Sequence, residues 1–167
     1  MVDAPKSKQL VVISIRKQLL YAYSGGDLWA TFPISSAKNG LGEQEGSEQT
    51  PRGWFKVMQI YGRDAPINSI WVERRWTGEI YAPTLQEEYP GRDFILTRII
   101  QLQGLEQGRN LGGTVDTLNR HIYIHGTSDE SYIGVPRSHG CIRMLNADVV
   151  LLADWISGET KLCLELF

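Results

Sequence analysis

The sequence predicts a mainly β single domain, a β-sandwich-like body with one late α-helix. Three observations carry this. Apolar residues alternate at period two from Val11 onward and do so again along much of the chain, which is the spacing of half-buried strands. Clusters of Gly, Pro, Ser and Asp separate those stretches as turns do. Helical spacing occurs once, close to the C-terminus. A length of 167 residues is one domain's worth, so 1–167 is read as a single unit with a core of its own.

The elements follow in order. Val11, Ile13 and Ile15 open the first strand, and Leu19, Tyr21 and Tyr23 continue the pattern up to the hairpin signal Ser24-Gly25-Gly26-Asp27. Leu28 to Ser35 returns as a strand rich in aromatic and β-branched residues. The polar, glycine-rich stretch Lys38 to Glu48 reads as a loop, and Thr50-Pro51-Arg52-Gly53 turns into a strand from Trp54 to Ile60. Residues 61–93 show no helical period. Their aromatic residues, Trp71, Trp76, Tyr81 and Tyr89, suit a cap on the core and a substrate-covering lid equally. Ile95 to Leu102 and His121 to His125 are further strands, joined by a polar connection from Gly104 to Arg120. Asn146 is the expected N-cap of the helix, with Asp148 at its positive end and Val149, Leu152, Ala153 and Ile156 on its buried face. Gly158 stops it, and Thr160 to Phe167 closes the chain as a strand.

Composition narrows the function. Apolar residues at 42% and charged residues at 22% are ordinary for a globular protein. A net charge of −2 with no run of one sign gives no footprint for nucleic acid or an anionic membrane. No segment approaches the roughly 20 apolar residues of a membrane span. Leu10 to Ile15 is too short and too interrupted for a signal peptide, so the expected location is the cytoplasm, or the periplasm if a leader has been removed. Two cysteines, Cys141 and Cys163, cannot build the disulfide framework of a small secreted domain.

Chemistry concentrates in His125-Gly126-Thr127 and Ser138-His139-Gly140-Cys141-Ile142-Arg143. A thiol attacks as thiolate, and its ordinary pKa of about 8.5 calls for a base to take the proton. An imidazole can do so and later return the proton to a leaving amine. Glycine beside the nucleophile lets a reacting carbonyl approach the backbone and its N–H donors. His121, His125, His139 and Cys141 are also possible zinc ligands. Cysteine zinc sites usually show close pairs such as C-x₂-C, however, and only one cysteine stands here, so neither metal nor cofactor is expected. Cys163 lies opposite Leu162 and Leu164 by alternation and reads as a passive thiol, while His121 reads as a packing residue on the strand face of His125.

These segments resemble the YkuD-type L,D-transpeptidase catalytic domain. That family is marked by a histidine, a loop, then Ser/Thr-His-Gly-Cys, an apolar residue and Asn or Arg; Thr50-Pro51-Arg52-Gly53-Trp54-Phe55 is similar to a second family segment. The resemblance implies a peptidoglycan stem peptide as substrate, cut between the L-centre of its third residue and D-Ala. It assigns Cys141 as nucleophile and His125 as base, with the Gly126 carbonyl orienting His125. Gly140 and Cys141 would supply oxyanion-hole N–H groups in a wall shaped by His139, and Ser138 and Arg143 would face the substrate. Carbapenem-type β-lactams are the implied acylating inhibitors. Hydrolysis to tripeptide and D-Ala, the L,D-carboxypeptidase outcome, is preferred over 3–3 cross-linking on the expected location, with a non-catalytic wall-peptide module as the distant alternative.

Overall fold

A computed structural model describes residues 8–165. Its first strands are β1 (Gln9–Ser14), β2 (Leu19–Ser24) and β3 (Asp27–Ser35), joined as antiparallel neighbours. Alternation sends Val11, Ile13, Leu20 and Ala22 to one face, all fully buried. Next come β4 (Gly53–Tyr61), β5 (Ser69–Val72), β6 (Arg75–Ile80) and the short helix α1 (Pro83–Glu88). They are followed by β7 (Ile95–Gly104), β8 (Tyr123–Thr127), β9 (Ile142–Met144), helix α2 (Asn146–Trp155) and β10 (Lys161–Leu164).

Among the described residues the strands form one sheet in the order β4-β10-β1-β2-β3-β9-β8-β7-β5-β6, and β4 also pairs with β7. That second pairing folds the sheet back on itself around the core. Val11, Ile13, Leu20, Ile34, Phe55, Ile100, Leu102, Ile124, Ile142, Leu162 and Leu164 meet inside, with Val149, Leu152 and Ala153 of α2 packed among them. Each such buried aliphatic or aromatic side chain contributes about 1.5–3 kcal/mol. The end of α2 is held by Trp155, stacked on Trp29 at 5.0 Å between ring centroids.

The mainly β single domain is as expected, and four local readings change. Residues 61–93 hold a hairpin and a helix, so α2 is not the only one. The pattern hid them because β6 is exposed along its whole length and α1 buries none of its six residues. Asn146 does not cap α2: it is the first helical residue, after Leu145 at the cap, and its own amide is drawn into the interior. His121 lies outside β8, at φ 56° in the turn before it, so it shares no strand face with His125. The short strand β9 forms directly after Cys141, in a stretch read only for its motif. The last two residues of the expected closing strand lie outside the described residues.

Candidate active site

Two adjacent parallel strands build the site. In β8 and β9, Ile124 stands opposite Ile142 and His125 opposite Arg143. Ile124, Ile142 and Met144 point into the main core, so alternation leaves Tyr123, His125, Cys141 and Arg143 on the other face. There a smaller cluster of Trp71, Ile99 and Tyr123 receives Cys141 as a partly buried neighbour. Sequence motifs sixteen positions apart thus meet because a parallel pair carries both.

His125 is 2% exposed, and its Nδ1 lies 2.6 Å from the Gly126 carbonyl oxygen. A carbonyl can only accept, so Nδ1 carries the proton and Nε2 is left as the basic nitrogen. Burial holds the imidazole pKa below its ordinary value, against the raising effect of the Gly126 bond and of Asp93. The neutral ring is therefore the resting form.

Behind His125 the backbone is irregular. The β7–β8 register slips between Leu96 and Ile99, and within that bulge Thr97 sits at φ 73°. Its hydroxyl donates to the Asn146 side-chain carbonyl at 2.6 Å, and the Asn146 amide donates to the Thr127 carbonyl at 2.8 Å and to Glu130. A Cβ at position 126 would overlap the Asn146 carbonyl oxygen, so only glycine lets this buried amide close on β8.

Cys141 is partly exposed, and its sulfur is fixed by backbone. It accepts the Tyr123 N–H at 3.3 Å and donates to the His121 carbonyl at 3.4 Å. Desolvation pushes the thiol up to about 11, opposed chiefly by the Tyr123 N–H and by Arg143 and Arg120. A protonated thiol and a neutral imidazole suit general-base activation, in which the proton moves to His125 as the sulfur attacks. The sulfur must first turn from the His121 carbonyl toward the ring.

The loop before Cys141 is locked. Thr50 Oγ1 donates to the Gly140 carbonyl at 2.9 Å, and the Ser138 hydroxyl donates to the Cys141 carbonyl at 2.5 Å while accepting the Gly140 N–H at 3.2 Å. Gly140 has φ 134°, and a Cβ there would press on Ile122 and the Gln49 carbonyl. Ser138 is thus 2% exposed and turned into its own loop. Of the two expected oxyanion donors, the Cys141 N–H is unengaged among the described residues and the Gly140 N–H is occupied by Ser138.

Arg143 is 5% exposed and spends its guanidinium on Asp93 at 2.9 Å and Asp129 at 3.5 Å. His139 stands exposed on the same carboxylate, 3.5 Å from Asp93. The zinc set is not assembled: the described residues contain no group of three or more His, Cys, Asp or Glu placed to hold a metal, and the four candidates turn to separate partners. Sequence reasoning passed over Asp93, which raises both the thiol and the imidazole pKa, and Tyr123, whose N–H meets the sulfur. Nothing next to Asp93 marks it, but Tyr123 was two residues from His125 and on its face by alternation.

Comparison with known proteins gives the family. Residues 8–162 match the model of the L,D-transpeptidase catalytic domain, YkuD. A probable L,D-transpeptidase, ErfK/SrfK of Salmonella typhimurium, is 26% identical over 90% of this chain and 42% of its own length. The probable L,D-transpeptidase YbiS of Escherichia coli is 31% identical over 60% of this chain and 33% of its own. The chain thus spans less than half the length of these curated relatives. In fold it is similar to L,D-transpeptidase 3 from Mycobacterium tuberculosis, solved with a faropenem-derived adduct, at a TM-score of 0.58 and 13% identity over 95% of this chain and 60% of that one. With the family model covering 8–162, which includes β1 to β9, both motifs and α2, the chain belongs to the L,D-transpeptidase catalytic-domain family.

Proposed function

We propose that the protein cleaves peptidoglycan stem peptides between the L-centre of the third residue and D-Ala, through a thioester on Cys141. The observation that carries this is the pairing of β8 with β9. It sets a buried, neutral, Nδ1-protonated His125 on the same sheet face as a thiol held at the start of β9. Cys141 attacks as its proton passes to His125 Nε2, the Cys141 N–H faces the developing oxyanion, and His125 returns the proton to the departing D-Ala amine. The Gly126 carbonyl stabilises the imidazolium formed in between, the part a carboxylate plays in other triads. Ser138 and His139 shape the loop around the nucleophile, and Arg143 holds Asp93 in place at its rim.

Water is the favoured acceptor, which makes the activity an L,D-carboxypeptidase working on soluble muropeptides in the cytoplasm. Cys141 is partly exposed, which gives water access to a thioester formed there. Transfer to the amine of a second stem peptide is the other reading, favoured by the relatives bearing the name probable L,D-transpeptidase. Both use the same residues. Incubation with a tetrapeptide alone separates them by product mass: tripeptide and D-Ala support hydrolysis, whereas a cross-linked dimer as the main product establishes transfer. Acylation by carbapenem-type β-lactams belongs to the same proposal, given the faropenem-derived adduct of the mycobacterial fold relative.

A further inference from the structure

Asn146 opens helix α2, yet its side chain is 3% exposed and joins two other elements, the bulge in β7 and the end of β8. A primary amide so deeply buried is tolerated only when its polar atoms are paired. Here all of them are. Oδ1 accepts the Thr97 hydroxyl at 2.6 Å, and Nδ2 donates to the Thr127 carbonyl at 2.8 Å and to Glu130. The sense of these bonds is fixed by chemistry. The Thr127 carbonyl can only accept, so the amide nitrogen faces it, the oxygen is left toward Thr97, and the hydroxyl must donate.

The partner on the far side is strained. Thr97 is fully buried and β-branched, and it lies at φ 73°, a left-handed conformation that such residues rarely adopt. Strain of this kind persists where the surroundings over-determine the backbone. Two bonds do so at its hydroxyl, which accepts the Asn68 N–H at 3.0 Å while donating to Asn146.

The amide ends against Gly126. Glycine has the freest backbone of any residue, so nothing of its own keeps its carbonyl on His125 Nδ1. Its neighbours do. Leu96 pairs with Gly126 across the β7–β8 ladder. Asn146 fills the space that a Cβ at 126 would need, and it also holds the next carbonyl along the chain, that of Thr127.

We propose that Asn146 is a positioning residue for the reaction: by packing on Gly126 and holding the Thr127 carbonyl, it keeps the Gly126 carbonyl on His125 Nδ1 and so keeps the basic lone pair on Nε2. Thr97 anchors the amide from behind. If the Gly126 carbonyl turns away, the single proton of the neutral ring is free to sit on either nitrogen, and on Nε2 it blocks transfer from the thiol. The effect on turnover rests on the peptide-cleaving reading above, whereas the effect on the tautomer does not.

Nuclear magnetic resonance of the full chain, isotopically labelled at its histidine nitrogens, tests this. The chain has three imidazoles, and His125→Gln identifies the signals of His125. With the rings neutral, the intact protein should show His125 protonated on Nδ1 alone. Asn146→Ala should give a mixture of the two tautomers. It should also lower kcat on a tetrapeptide by about tenfold to a hundredfold, the size of effect of a slightly misplaced group, with KM changed by no more than about twofold. Thr97→Val, which removes only the anchoring hydroxyl, should shift both readouts in the same direction by less, and Thr97→Ser should recover most of the loss. Should Asn146→Ala not fold, Thr97→Val and Thr97→Ser decide the matter.

His125 protonated on Nδ1 alone in the folded variants overturns the proposal, whatever their rates, because a merely structural amide would change stability and leave the tautomer as it was. An unchanged kcat beside a mixed tautomer overturns it too, as does a loss in Thr97→Ser as large as that in Thr97→Val. If the intact protein leaves the tetrapeptide uncut, the peptide-cleaving reading falls, and the tautomer alone decides on Asn146.

Discussion

Cys141 and Cys163 carry the same side chain in opposite surroundings. Cys163 lies in the regular strand β10, opposite Val12 on one side and Trp54 on the other, and is fully buried. Cys141 stands just before a three-residue strand, follows a glycine at φ 134°, and shows one edge to solvent. Around Cys163 the ladder runs on without interruption. Around Cys141 the neighbouring strands are broken by a bulge at Thr97, a left-handed turn at His121 and a locked loop from Ser138 to Gly140. On the proposed function, the difference lies in the backbone: a thiol inside a continuous ladder has no room for a carbonyl, and one before an interrupted strand does.

The largest expected effect breaks this comparison at the thiols. Cys141→Ala should abolish turnover of a tetrapeptide. Cys163→Ala should keep the rate and cost about 1 kcal/mol of stability, the usual size for a buried substitution. A dead Cys163 variant beside an active Cys141 variant would reverse the assignment.

The histidines give the next effect. His125→Gln should lower kcat by about two to four orders of magnitude, the worth of a positioned proton acceptor. His121→Gln should do much less, because His121 meets the sulfur through its main-chain carbonyl, which the substitution keeps. The pH profile sharpens the same point. Burial lowers the His125 pKa, so its neutral, basic form persists as the medium is acidified, and the acid limb of kcat/KM falls below the ordinary histidine value. An acid limb above that value would mean that an imidazolium, not a neutral base, is the starting form.

What the sequence disclosed divides along the same line. Val11, Ile13, Leu20, Leu162 and Leu164 alternate in regular strands, and the reading there matched the structure because burial and period agree. The Cys141 and His125 motifs were visible as chemistry. Their surroundings were not, since Asp93, Thr97 and Asn146 reach the site from distant parts of the chain. Asn146 shows why local rules failed: it has the composition of an N-cap, yet a buried amide network outweighed the cap. Arg143 was expected to face substrate and is instead 5% exposed between two carboxylates that no spacing rule connects to it. The β5–β6 hairpin went unseen because its turn, Glu73-Arg74, carries neither glycine nor asparagine.

The central claim is that the irregular backbone around Cys141, and not the thiol group as such, makes the nucleophile. Intact-mass measurement of the full chain after exposure to a carbapenem, followed by peptide mapping, tests it most directly. The account predicts one adduct per chain, located on Cys141, and none on Cys163. An adduct on Cys163, or an unmodified Cys141 in folded protein, would contradict it.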